Sequence, residues 1–190
     1  MAQTQPDRNA VTLSIAVGRN DLRTASAKEN APHGVPQQLT NTRMAYTKLI
    51  YHIVFRPKNN APVIDEAHER DLYMYILGFC RNHQCVLYRI GGMPDHIHLC
   101  VGLHPTIAVA GFVHDIKIAT GNFMRSRRDL FPMFNGWESS YGAFTYSEAD
   151  KDRVVEYIKT QKEHHRRVST REEMRDILKE FGIDYDERYI

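Results

Sequence analysis

No apolar run in the 190 residues approaches the ~20 that a membrane-spanning helix needs. The short apolar segment Val11–Val17 contains Thr and Ser and follows no basic stretch, so it does not read as a signal peptide. Cysteine is scarce: Cys80, Cys85 and Cys100 are odd in number and form no CxxC pair. That argues against a disulfide frame and for reduced thiols in a cytoplasmic protein. Excess charge of one sign is lacking too, since 25 Lys and Arg face 23 Asp and Glu. Net charge alone therefore announces no nucleic-acid or membrane-surface protein. Residues 1–43 contain no Phe, Trp or Tyr and are rich in Asn, Gln, Thr, Ala and Pro. Such a segment buries too little to offset ordering entropy and reads as a disordered extension. An amphipathic element around Val11–Val17 is the alternative. Met44 stands at the composition change and reads as the natural start of the chain.

What is present begins after that point. With 42% hydrophobic residues overall and ten tyrosines, all beyond residue 43, the chain can build a real core. It reads as one domain over 44–168, followed by an acidic helical tail over 169–190. Tyr46–Phe55 is β-branched and aromatic and predicts a strand. Asp65–His83 predicts a helix, with Asp65 as its cap and Leu72, Tyr75, Ile76 and Phe79 as its stripe. Gln84–Ile90 predicts a second strand, and a third runs to about Leu103. His104-Pro105-Thr106 opens a long helix with an apolar side from Ile107 to Met124. Phe134–Tyr146 reads as a fourth strand, broken near Ser139-Ser140. A helix from Lys151 to about Arg167 follows, then a short one from Thr170 to near Phe181-Gly182. The order βαββαβα is that of an α+β, ferredoxin-like or RRM-like antiparallel sheet with helices on one face.

The stretch Met93-Pro94-Asp95-His96-Ile97-His98-Leu99-Cys100-Val101 organises the chain. Two residues is the strand period, so His96 and His98 share one face while Ile97, Leu99 and Val101 take the other. Side-by-side imidazoles on a rigid element suit a metal ion. A surface pair on a half-buried strand is the competing reading of His-x-His. Cys100 continues the same face, and a small buried hydrophobe is the preferred reading of it. On the late helix, Tyr157 and Gln161 are four apart and share a face. They fix a phenol and an amide one turn apart, although a packed Tyr and a solvent Gln would look the same.

Taken together, these pieces resemble the single-tyrosine HUH transposases of small bacterial insertion sequences, which include the REP-associated tyrosine transposases. The resemblance spans about Met44–Arg167. It is carried by Met93-Pro94-Asp95-His96-Ile97-His98-Leu99, by Trp137-Glu138-Ser139-Ser140-Tyr141-Gly142-Ala143-Phe144, and by Tyr157-Ile158-Lys159-Thr160-Gln161 followed by Glu163-His164-His165. The resemblance implies that Tyr157 is the nucleophile and that His96, His98 and Gln161 are metal ligands. It implies Mg²⁺ or Mn²⁺ as the metal, where ligand type alone leaves Zn²⁺ open. It further implies a homodimer acting on single-stranded DNA with hairpin ends. Phosphate contacts are then expected from Lys117, Arg125, Arg127 and Arg128, and from Lys159, Lys162, Arg166 and Arg167. His164 and His165 stay outside the expected metal site. A non-catalytic nucleic-acid-binding module on the same sheet, or a domesticated relative that processes genomic repeats, are the alternatives.

Overall fold

The computed structural model describes residues 46–187. The extension 1–43 therefore lies outside the described residues. Four strands form one antiparallel sheet in the order β2-β3-β1-β4. They are β1 (Ile50–Phe55), β2 (Val86–Met93), β3 (His96–Gly102) and β4 (Gly142–Tyr146). The helices are α1 (Glu69–Asn82), α2 (Val109–Ser126), α3 (Lys151–Lys159), α4 (Gln161–His164) and α5 (Thr170–Glu180). The α+β class and the ferredoxin-like strand order follow.

Strand alternation sorts the side chains. Ile53, Phe55, Ile97, Leu99 and Val101 project to one side of the sheet and pack with Leu72 and Ile76 of α1 and Phe112 and Ile116 of α2. His52, Val54, His96, His98 and Cys100 have the opposite parity. That face is not open, as helices on one side only would leave it. Val154 and Ile158 of α3 pack on Ile50 and Cys100, and Ile177 of α5 packs on Val54 and Phe144. Residues with apolar neighbours on both faces of the sheet require cover on both, so the expected single helical layer becomes two.

Several boundaries differ from the sequence expectation: β1 starts at Ile50, α1 at Glu69 after His68 rather than Asp65, and β2 runs on to Met93. β4 begins only at Gly142, because the preceding stretch is held in other ways. Trp137 makes an isolated bridge to Pro57, and its indole N–H donates to Thr120 Oγ1 at 3.0 Å. The carbonyls of Glu138, Ser139 and Ser140 all accept from the Lys117 ammonium instead of a strand partner. α2 starts at Val109, after a turn in which Ile107 N–H donates to His104 C=O. The late helix breaks at Thr160, whose hydroxyl donates to the carbonyls of Glu156 and Tyr157 and competes with the helical ladder. α5 carries a capping box, in which Ser169 accepts from Glu172 N–H and Glu172 reaches back to Ser169 N–H.

Candidate metal and nucleophile centre

The site lies on the rear face, between β1, β3 and helices α3 to α5. β3 supplies His96 and His98, which are 1% and 0% exposed. Each imidazole is oriented through Nδ1. His96 Nδ1–H donates to Asp95 Oδ1 at 2.8 Å, and His98 Nδ1 is hydrogen-bonded to His52 Nε2 at 2.8 Å. Such partners fix the ring so that Nε2 is the free ligand atom. The register explains the second pair: His52 lies opposite Cys100 and Val54 opposite His98, so the two histidines are diagonal neighbours on one face. Cys100 is the next residue of that face, but it packs on Val154 and Ile158, and burial pushes its thiol up to about 12. It behaves as a hydrophobe.

α3 brings Tyr157 to the same place. The approach is close: a Cβ on Gly91 would come within 2.8 Å of the Ile158 carbonyl, and Gly91 sits beside His98 in the sheet. The Tyr157 ring packs edge-on against His98 and His52, with centroids 6.1 and 5.9 Å away. After the break at Thr160, α4 supplies Gln161, which is 1% exposed. Thus the structure gathers His96, His98, Tyr157 and Gln161 within one chain.

The group they gather around is Glu173 of α5, a carboxylate only 3% exposed. Its Oε1 accepts from the Tyr157 hydroxyl and from Gln161 Nε2, the latter at 2.8 Å. Its Oε2 lies 3.1 Å from His165 Nε2, 3.4 Å from His98 Nε2 and 3.5 Å from His96 Nε2. The last two distances fall in ion-pair range without hydrogen-bonding geometry. His96 Nε2, His98 Nε2 and Gln161 Oε1 are accordingly buried with no hydrogen-bond partner. Leaving three such atoms bare costs on the order of 1–3 kcal/mol each, unless something else binds there. His96, His98, His165 and Glu173 offer ligand atoms that all lie within 4.8 Å of one another.

The electrostatics follow from burial. Desolvation drives His52 down to about 3, and His98 beside it pushes the same way, so His52 is neutral. Burial also lowers His98, against the pull of Glu173. His165 goes the other way, because the Glu173 carboxylate outweighs desolvation. Burial would raise Glu173, yet the hydrogen bonds from His165 and Tyr157 and the neighbouring His98 ring hold it well below the usual carboxylate range. Burial and the neighbouring carboxylate press the Tyr157 phenol well up, so it rests protonated.

Sequence reasoning did not reach His52 or Glu173, and it left outside the metal site His165, whose Nε2 lies 3.1 Å from Glu173 Oε2. A signal existed for two of them. His52 shares the strand parity of Ile50 and Val54 inside an apolar run. Glu173 falls on the helical stripe of Met174, Ile177, Leu178 and Phe181, where a solvated acid does not belong.

The expected phosphate contacts are spread over two layers. Lys117, Arg125, Arg127 and Arg128 belong to α2 and the turn after it, and α2 packs on the front face of the sheet, opposite the imidazoles. Lys117 gives its donors to loop carbonyls, Arg127 pairs with Asp129, and Arg128 donates to the carbonyls of Pro132 and Phe134. Arg125 donates to Asn122. Lys159, Lys162 and Arg166 lie in or next to α3 and α4 on the site's side. They pair with Glu156, with Glu66 and Glu69, and with Glu163. Cavities of about 270 and 190 Å³ flank Glu173, one bordered by Arg56, His96 and Tyr141, the other by His52, Tyr146 and Tyr157. Among the described residues no helix is long and apolar enough to cross a membrane.

A family model described as "Transposase IS200 like" matches residues 45–161. Among solved structures, a candidate transposase from Deinococcus radiodurans R1 is 26% identical with a TM-score of 0.50, covering 63% of this chain and 95% of that one. A REP-associated tyrosine transposase bound to a REP hairpin is 15% identical with a TM-score of 0.47, covering 64% and 72%. That second likeness is too slight to bear on substrate or mechanism. No curated protein matches the chain at a significant level.

Proposed function

This chain belongs to the IS200-like transposase family, and we propose that it cleaves and rejoins single-stranded DNA through a covalent bond between Tyr157 and a 5′-phosphate. The observation that carries the reading is the convergence of Tyr157, Gln161, His96 and His98 on the Glu173 carboxylate, with one ligand atom on each of the last three buried and bare. Two imidazole nitrogens and an amide oxygen with no other partner fit a divalent cation. When bound, Mg²⁺ or Mn²⁺ would be held by His96, His98 and Gln161 and would neutralise charge developing on the scissile phosphate.

The residues of the chain do the rest. Tyr157 Oη attacks phosphorus, the bond from phosphorus to the 3′ oxygen breaks, and that oxygen leaves as a 3′-hydroxyl once protonated. The phenolic proton must depart as the ester forms. Glu173 Oε1 accepts the hydrogen bond of that hydroxyl and orients it; the proton, whose loss a bound cation would ease, ends on the departing 3′ oxygen. The tyrosyl ester keeps the energy of the broken bond. A second 3′-hydroxyl can therefore attack it and reseal the strand without ATP, because a phenolate leaves more readily than an alkoxide. His52 and Asp95 hold the imidazoles in the tautomers that face the site. Hairpin-ended single strands as substrate, a homodimer as the working unit and the cytoplasm as its location belong to the same proposal.

One gel tests it. The full chain is incubated with labelled single-stranded hairpin DNA from the flanks of its gene and with Mn²⁺ or Mg²⁺. A protein–DNA adduct that survives denaturation is expected from the wild type and not from Tyr157→Phe, with the variant's circular dichroism unchanged. An adduct retained by Tyr157→Phe overturns the nucleophile assignment.

A further inference from the structure

We propose that Glu173, on a helix beyond the family-matched region, is the anionic ligand of the metal centre and ties that centre to the nucleophile. The inference rests on the metal-dependent reading above and deepens it. The family match ends at residue 161, so nothing in it assigns α5 a part in the site.

Three observations point to ligation. The two carboxylate oxygens are sorted by function: Oε2 faces the Nε2 atoms of His96, His98 and His165, and Oε1 holds Tyr157 and Gln161. The separations of 3.4 and 3.5 Å between Oε2 and the bare Nε2 atoms of His98 and His96 are those of neighbouring ligand atoms, while His165 is hydrogen-bonded to the same oxygen at 3.1 Å. Ligand bonds of about 2.1 Å place adjacent ligand atoms about 3.0 Å apart around an octahedron and about 3.4 Å apart around a tetrahedron. Finally, the charge fits. A set of two imidazoles and an amide is neutral, while Mg²⁺ and Mn²⁺ favour anionic oxygen. A carboxylate 3% exposed, in turn, needs a strong countercharge.

α5 is built to hold that carboxylate in place. Ser169 and Glu172 cap its first turn, and Met174, Ile177 and Leu178 dock it on Val54 and Phe144. Thr170 also donates to Asp95 Oδ2 at 3.0 Å, joining the start of α5 to the residue that orients His96. Two imidazoles, one amide and one carboxylate would still leave positions of an octahedral ion open for phosphate oxygens. One carboxylate would then span both partners of the reaction, its second oxygen fixing the Tyr157 hydroxyl beside the ion.

The test is Mn²⁺ binding by the full chain after EDTA treatment, read by titration calorimetry and by the electron paramagnetic resonance signal of free Mn²⁺. The wild type is expected to bind Mn²⁺. Glu173→Gln keeps the shape, removes the charge and should weaken binding at least tenfold, while Glu180→Gln at the far, exposed end of the same helix leaves it unchanged. Glu173→Asp keeps the charge on a shorter arm and should fall between the two; it carries the test if the Gln variant does not fold. Affinity in Glu173→Gln within tenfold of wild type, or tighter, overturns the proposal and makes Glu173 an occupant that the ion must displace. If wild type bound no Mn²⁺, the metal-dependent reading would fall first, and with it this ligand.

Discussion

The two faces of the sheet are equally buried and chemically opposite. Ile97 and His98 are adjacent in the chain, and both are 0% exposed. On the front face Ile97 and Leu99 meet hydrocarbon and have nothing to satisfy. On the rear face His98 meets His52 and Glu173, and its Nε2 has no hydrogen-bond partner. Burial therefore does not mark function here. Unmet valence under full burial does, because a face kept only for stability gains nothing from bare nitrogens that cost free energy.

Swapping neighbours breaks the comparison most sharply. Leu99→Ala leaves a cavity in the front core and should cost about 2–5 kcal/mol, with adduct formation per folded molecule retained. His98→Leu places a similar volume of hydrocarbon in a polar setting and should change stability far less. It should abolish adduct formation and weaken Mn²⁺ binding. Urea unfolding beside the adduct gel reads both. Equal loss of stability in the two variants, with activity kept in His98→Leu, would show the faces to be alike.

The rear face should also respond to acid in a way the front cannot. His52 titrates at about 3 when folded against an ordinary 6.5. Between those values the unfolded chain binds a proton that the folded chain refuses, so stability rises with pH across the window and falls as pH drops through it. The slope from this one group is at most about 1.4 kcal/mol per pH unit. His52→Phe should flatten that limb when unfolding is followed at several pH values in EDTA. An unaltered slope would mean that His52 is not the group responsible.

Much of this contrast was written in the sequence, and the missing parts have physical causes. A period of two is enough to send His96 and His98 one way and Leu99 the other, and a spacing of four keeps Gln161 near Tyr157 even across the break at Thr160. Those relations are local. Glu173 reaches the site only through tertiary docking of α5, and no spacing rule links residue 173 to residue 96. The short β4 was hidden for a similar reason, since its expected first half is pinned by Lys117, a residue of another element. The second helical layer could have been inferred from the rear-facing Val54 and Cys100, which need cover as much as the front residues do.

The smallest predicted effect asks whether the comparison extends to DNA. Family resemblance treats the basic residues as one set, but the fold divides them between the two layers. A phosphate held at Tyr157 is approached from the side of α3 and α4, where Arg166 sits next to α4 and pairs with Glu163. Arg127 follows α2 on the front side and is held by Asp129. Removing a phosphate contact lowers the dependence of log affinity on log salt by about one. Arg166→Gln should show that change in binding to single-stranded hairpin DNA across a salt series, and Arg127→Gln should show less. The reverse order would place the DNA path over the front layer, around the edge of the sheet rather than along the helices that carry the nucleophile.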